Sequence, residues 1–99
     1  VWVRHRSQQG FGPIRIRGEL RQKGIASDLI QAVLDEGEMD WCDQARSVWQ
    51  RKFRGKRESD ARLRARQIRF LQYRGFSGDQ IRHALGTADL ELPAGDDLE

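Results

Sequence analysis

The sequence predicts an all-α protein made of tandem three-helix, helix–turn–helix-like repeats. Three observations carry that expectation. Period-2 alternation with β-branched residues is scarce across the 99 residues, and Gly and Pro fall between apolar segments. Apolar residues recur at helical spacing, most clearly Trp41, Ala45, Val48, Trp49 and Phe53 at i, i+4, i+7, i+8 and i+12. One pattern also occurs twice. Leu20-x-x-Lys23-Gly24-Ile25-x-x-Asp28-x-Ile30-x-x-x-Leu34 returns, ungapped and 51 residues later, as Leu71-x-x-Arg74-Gly75-Phe76-x-x-Asp79-x-Ile81-x-x-x-Leu85.

Taken in order, a helical segment runs over 1–8 and is broken by Gly10-Phe11-Gly12-Pro13. Pro13 opens a helix over 13–23, at the position where its missing N–H costs nothing. Gly24 ends that helix by taking the left-handed conformation, and Lys23 suits the negative end of the dipole. A helix over 27–36 carries Leu29, Ile30, Val33 and Leu34, and a helix over 40–53 carries the tryptophan stripe. The basic loop Arg54-Gly55-Lys56-Arg57 leads to a helix over 59–74, ended by Gly75. Ser77-Gly78-Asp79-Gln80 reads as a capping box with Phe76 stapled to Ile81, and this last helix ends near Gly86. Ala26 stands where Ser77 caps in the second copy, so the first copy should start more weakly, by roughly 1 kcal/mol. Trp41, Ala45, Val48, Trp49, Ile68, Leu71, Phe76, Ile81 and Leu85 are expected to form one core, with Ala61, Ala65 and Ile68 as the inward stripe of the helix over 59–74. Residues 87–99, with Pro93, Gly95 and five acids, read as an acidic, disordered tail. The chain starts at Val1-Trp2-Val3, without Met and already helical, and is expected to be a piece of a longer protein.

The chemistry of an enzyme is missing from this inventory. A single cysteine, Cys42, fits a reducing cytoplasm, and apolar runs of three residues leave nothing to span a membrane. His5 and His83 are far apart, there is no CxxC, and no GxxxxGK[ST] phosphate loop. Gly10-Phe11-Gly12 lacks the strand that a dinucleotide fingerprint needs. The run Asp35, Glu36, Glu38, Asp40 reads as a solvated corner. We therefore expect no catalysis, no metal, no cofactor and no small-molecule substrate.

Charge is what remains. All 18 Lys and Arg lie in residues 1–85 against ten acids, a net +8, while 86–99 hold five acids and no base. Residues 44–74 alone hold eleven bases, nine of them Arg, against Glu58 and Asp60. Such a block contacts nucleic acid or an acidic protein surface, and its plain alternative is a solvated helical face. Arg62, Arg66, Arg69 and Tyr73 fall at i, i+4, i+7 and i+11, so they share one face, and Arg51, Lys52, Arg54, Lys56 and Arg57 extend it. Arginine favours recognition over mere solvation because its planar fork binds carboxylate or phosphate bidentately. Arg15, Arg17 and Arg21 form a second candidate group. Reading of base edges by a recognition helix is disfavoured, since the helix starts Ala26-Ser27-Asp28 and Ser77-Gly78-Asp79 each carry an acid and no Arg or Asn.

The string Gly10-Phe11-Gly12-Pro13-Ile14-Arg15-Ile16-Arg17-Gly18-Glu19-Leu20-Arg21-Gln22-Lys23-Gly24-Ile25 strongly resembles the central signature of RecX regulatory proteins. Asp40-Trp41, Ala45-Arg46, Arg51-Lys52-Phe53 and Arg69-Phe70-Leu71-Gln72-Tyr73-Arg74-Gly75-Phe76 are similar to later RecX landmarks in the same order, so the resemblance covers roughly residues 1–85. It implies an elongated, curved body of three-helix repeats, with 1–36 as the end of the second repeat, 37–86 as the third, and the first repeat missing. It also implies a regulator that binds the RecA filament on single-stranded DNA. By binding alone, such a regulator suppresses strand exchange, ATP hydrolysis and co-protease activity. The other reading of the basic block is a module that binds single- or double-stranded DNA directly through its phosphates.

Overall fold

The computed structural model describes residues 2–36, 39–56 and 59–86, which leaves Arg57 and the 87–99 tail outside the described residues. Six helices follow one another: α1 (Trp2–Gln8), α2 (Pro13–Gln22), α3 (Ser27–Glu36), α4 (Trp41–Phe53), α5 (Ala61–Arg74) and α6 (Gly78–Leu85). No strand occurs among the described residues. The body is elongated, 41 × 23 × 20 Å.

The repeated motif folds the same way twice. Gly24 and Gly75 both take positive φ, 85° and 99°. In the first turn the Gly24 N–H donates to the Arg21 carbonyl at 3.0 Å and the Ile25 N–H to Leu20 at 3.2 Å. In the second turn Gly75 donates to Gln72 at 3.0 Å and Phe76 to Leu71 at 3.2 Å. Both are the Schellman pattern that a C-terminal glycine permits. The copies differ where their sequences differ. Ser77 Oγ accepts from the Gln80 N–H at 3.3 Å while Gln80 Oε1 accepts from the Ser77 N–H at 2.9 Å, closing a capping box. Ala26 offers no such acceptor.

Two apolar clusters hold the chain. One joins Val3 of α1, Ile16 and Leu20 of α2, and Ile30 and Leu34 of α3. The other joins Ala45, Val48 and Trp49 of α4, Ile68 and Leu71 of α5, then Phe76 and, on α6, Ile81, Ala84 and Leu85. Trp41, expected only in the second cluster, packs against both.

Several expectations need correction. Asp40 and Asp60 are not helical. Each is an N-cap, with Asp40 Oδ1 accepting from the Asp43 N–H at 3.1 Å and Asp60 Oδ1 from the Arg62 N–H at 2.8 Å. On α3, Ile30 and Leu34 are buried, while Leu29 is 56% exposed. On α5, Ala61 is exposed and Ala65 only half-buried, while Gln67, Ile68 and Leu71 are buried. The inward stripe is thus turned by roughly a quarter of a revolution from the Ala61–Ala65–Ile68 line, at about 100° per residue. Gln67 explains the difference. Its Oε1 accepts from Trp49 Nε1–H at 2.9 Å and its Nε2 donates to the Lys56 carbonyl at 3.0 Å, so a polar side chain is buried with its hydrogen bonds made.

The two copies are locked end to end. The Gly12 N–H donates to the Arg74 carbonyl at 2.7 Å, and the Ile14 N–H to the Gly75 carbonyl at 2.9 Å. The last carbonyls of α5 thereby satisfy the first amides of α2, and the two helix dipoles meet head to tail. The approach is so close that a Cβ on Gly12 would stand 2.5 Å from the Gly75 oxygen, and one on Gly75 would run into Arg15. Phe11 fills the side of this joint, with the guanidinium carbons of Arg6, Arg15 and Arg74 at 4.0, 4.6 and 4.8 Å from its ring centre. Arg74 also donates to the Gln9 carbonyl at 3.1 Å.

Candidate functional site

The rotation of α5 decides which side chains face solvent. With Gln67, Ile68 and Leu71 inward, Arg62, Arg66, Arg69 and Tyr73 stand on the opposite side of a 14-residue helix, and all four are exposed. Among the described residues, the guanidinium groups of Arg62, Arg66 and Arg69 make no intramolecular ion pair or hydrogen bond. Their charge is therefore available to a partner.

Two open clefts lie along this side of α5. One, of about 370 Å³, is walled by Lys52 and Phe53 of α4 and by Leu63, Arg66, Gln67 and Phe70 of α5. Its aromatic wall is an edge-to-face pair, Phe53 and Phe70 at 5.5 Å, with Lys52 Nζ 5.5 Å from the Phe70 ring. The other, of about 530 Å³, lies where α5 meets α2 and is lined by Ile14, Arg15, Gly18, Glu19, Arg21, Gln22 and Tyr73. Here Arg15 donates to the Tyr73 carbonyl at 3.4 Å and its guanidinium carbon sits 5.4 Å from the Tyr73 ring. Leu63, Arg66, Phe70 and Tyr73 recur at i, i+3, i+7 and i+10, so the two clefts open on one side of the helix.

The end-to-end joint thus brings one end of the first candidate group beside two members of the second. Tyr73 from the first group and Arg15 and Arg21 from the second line the same cleft. Arg17 does not join them, because it donates to Gln31 Oε1 of α3 at 2.9 Å. Arg51, Lys52 and Arg54 crowd the exposed C-terminal end of α4, where positive charge meets the negative dipole end. Lys56 is exposed and its carbonyl is the one held by Gln67.

One carboxylate lies within the α2–α5 cleft, and it is already matched. Glu19 Oε2 is 2.6 Å from Arg6 Nη2 and 3.6 Å from Arg15 Nε. Burial pushes its pKa up, but the hydrogen bond and charge of Arg6, with the charge of Arg15, outweigh this and leave it below its usual value. Glu19 therefore stays ionised and offsets Arg6 more than the outer arginines. Burial and then the carboxylates of Asp40, Asp79 and Asp43 raise the Cys42 pKa, which disfavours its thiolate. Among the described residues no three His, Cys, Asp or Glu side chains gather where they could hold a metal, and no helix is long and apolar enough to cross a membrane.

Comparison with known proteins fits this two-part architecture. Residues 1–34 match the second three-helix domain of RecX, and residues 38–85 match the third. The chain belongs to the RecX family. It is 50% identical over 90 residues to the regulatory protein RecX of Pseudomonas putida strain GB-1, covering 91% of this chain and 58% of that protein. Against the RecX of Halorhodospira halophila it is 48% identical over 89 residues, or 90% of this chain and 55% of the relative. The Ectopseudomonas mendocina protein is 49% identical, with 89% and 59% covered. The chain thus spans a little under three-fifths of the length of these relatives. No solved structure matches it. These relatives are named as regulatory proteins.

Proposed function

We propose that this chain binds the RecA filament on single-stranded DNA through the continuous basic side of α5 and α2, and restrains strand exchange, ATP hydrolysis and co-protease activity by binding alone. The observation that carries the reading is the joint between Gly12 and Gly75. The joint brings Tyr73 of α5 into one cleft with Arg15 and Arg21 of α2, Arg62, Arg66 and Arg69 share the exposed face of α5 with Tyr73, and the one acid of the cleft is matched by Arg6, which supports the reading. Arg51, Lys52, Arg54 and Lys56 extend the charge at the far end, and Arg57 of the same basic run lies outside the described residues. Guanidinium groups without internal partners suit bidentate contact with paired anionic oxygens, whether carboxylates on RecA or phosphates in the filament.

The test is RecA-dependent ATP hydrolysis on single-stranded DNA, titrated with the chain and with an Arg62→Ala, Arg66→Ala, Arg69→Ala triple variant. Inhibition should weaken in the variant while its melting stays near the parent's, because exposed charges contribute little to stability. Inhibition should also fall steeply as salt rises. A well-folded triple variant that inhibits like the parent refutes this surface. Binding to DNA alone that equals binding to the filament favours the direct DNA reading instead.

A further inference from the structure

We propose that the cleft between α2 and the end of α5 seats a base of single-stranded DNA against Tyr73, with Arg66, Arg69 and Arg21 on the flanking phosphates. The inference rests on the filament-binding reading and names the filament component that this part of the surface touches.

Tyr73 is the most exposed of the large apolar side chains left in solvent, at 64%. It is not a loose ring. The Arg15 guanidinium lies 5.4 Å from its centre, and Arg15 is itself held by the Tyr73 carbonyl and by Glu19. The aromatic is thus oriented by a cation on one side while most of its surface meets water. Beside it, Ile14 is 38% exposed, and a Cβ on Gly18 would find no atom within 4 Å, so the wall of the cleft has an apolar patch and an open floor.

Charge surrounds this platform in the order a polynucleotide needs. Arg69 and Arg66 precede Tyr73 by one and two turns, rises of about 6 Å and about 10.5 Å along the helix. Arg21 stands across the cleft on α2. Duplex DNA could use the arginines but keeps its bases stacked inside. An acidic peptide could use them too, yet leaves an exposed ring with nothing to stack on it. A single strand offers both phosphates and free base faces, and stacking on an aromatic within a basic track is how such strands are bound.

The experiment measures fluorescence anisotropy of a labelled oligothymidylate, without RecA and at low salt, for the chain and its Tyr73→Phe and Tyr73→Ala variants. A duplex of equal length and a polyglutamate competitor are the two controls. The single strand should bind more tightly than the duplex, Tyr73→Phe should stay within about 2-fold of the parent, and Tyr73→Ala should lose about 5- to 150-fold, the range of one base–aromatic stack. Thermal melting should be unchanged, since the ring is exposed. The proposal is overturned if the parent does not bind the oligonucleotide, if Tyr73→Ala binds like the parent, if the duplex binds as well, or if polyglutamate displaces the strand at equal charge. Inhibition of RecA that survives alongside any of these outcomes leaves the filament reading standing. Oligonucleotide binding that depends on Tyr73 without inhibition of RecA removes the filament reading instead.

Discussion

Gly12→Ala should loosen the whole molecule, although the backbone there is unremarkable. Gly12 has φ −93°, which any residue adopts, so the substitution tests contact alone. The added methyl would lie 2.5 Å from the Gly75 oxygen, 2.6 Å from its carbonyl carbon and 2.7 Å from Phe76 Cδ1. Two of those atoms are backbone and cannot turn aside. A carbon needs about 3.5 Å, so α2 must retreat from α5 by roughly 1 Å. That stretches the 2.7 Å bond from Gly12 to Arg74 and the 2.9 Å bond from Ile14 to Gly75 beyond useful range. Each is worth about 0.5–1.5 kcal/mol, giving a loss of about 1–3 kcal/mol. For a chain of this size the melting midpoint falls by roughly 4–8 °C for each kcal/mol. Gly18→Ala, in the next turns of the same motif, is the internal control. Its Cβ meets nothing within 4 Å and it sits inside α2, so it should gain up to ~1 kcal/mol from helix propensity. Thermal unfolding followed by circular dichroism reads both. A Gly12→Ala protein that melts with the parent, or a Gly18→Ala protein that melts below it, would refute the reasoning.

Two further outcomes test the rest of the fold. Leu71 is fully buried in the second cluster, so Leu71→Ala should cost about 2–5 kcal/mol in denaturant unfolding, and a variant as stable as the parent would mean the core is misassigned. Glu19 has a folded pKa below its unfolded value, so its pairing with Arg6 stabilises above the unfolded pKa and is lost as pH falls through the folded one; Glu19→Gln should therefore melt lower than the parent near neutrality, with the gap closing in acid, and a gap that persists at low pH would contradict this.

Much of the architecture was legible because it rests on local rules. Gly24 and Gly75 mark helix ends because left-handed backbone is cheap only for glycine, and Ser77 with Gln80 marks a helix start through hydrogen bonds three residues apart. The rotation of α5 was not legible in the same way. Ala61 and Ala65 are apolar and Gln67 is polar, so a hydropathy pattern turns the helix wrongly; only the Trp49 indole and the Lys56 carbonyl, contributed by other segments, make Gln67 an inward residue. The grouping of Arg15, Arg17 and Arg21 could have been refined from sequence. Positions 15 and 17 differ by about 200° around a helix and cannot share a face. The contact of Gly12 with Gly75 spans 63 positions and depends on how two repeats stack, which no local rule contains.

The strongest motif in the chain and the surface proposed to act are therefore different things that depend on each other. Gly10-Phe11-Gly12-Pro13 and Arg74-Gly75-Phe76 belong to the stretches that resemble RecX, yet they form the joint: two backbone hydrogen bonds, a glycine-to-glycine approach and a phenylalanine among three guanidinium groups. The arginines of α5 carry the charge, but where they lie relative to Arg15 and Arg21 is set by that joint. A partner that spans both helices reads this spacing as well as the charges. Changes at the joint should then lower stability and binding together, whereas changes at Arg62, Arg66 or Arg69 should lower binding alone. Joint and surface can be separated by comparing the two effects in the same variant, which binding measurements by themselves cannot do.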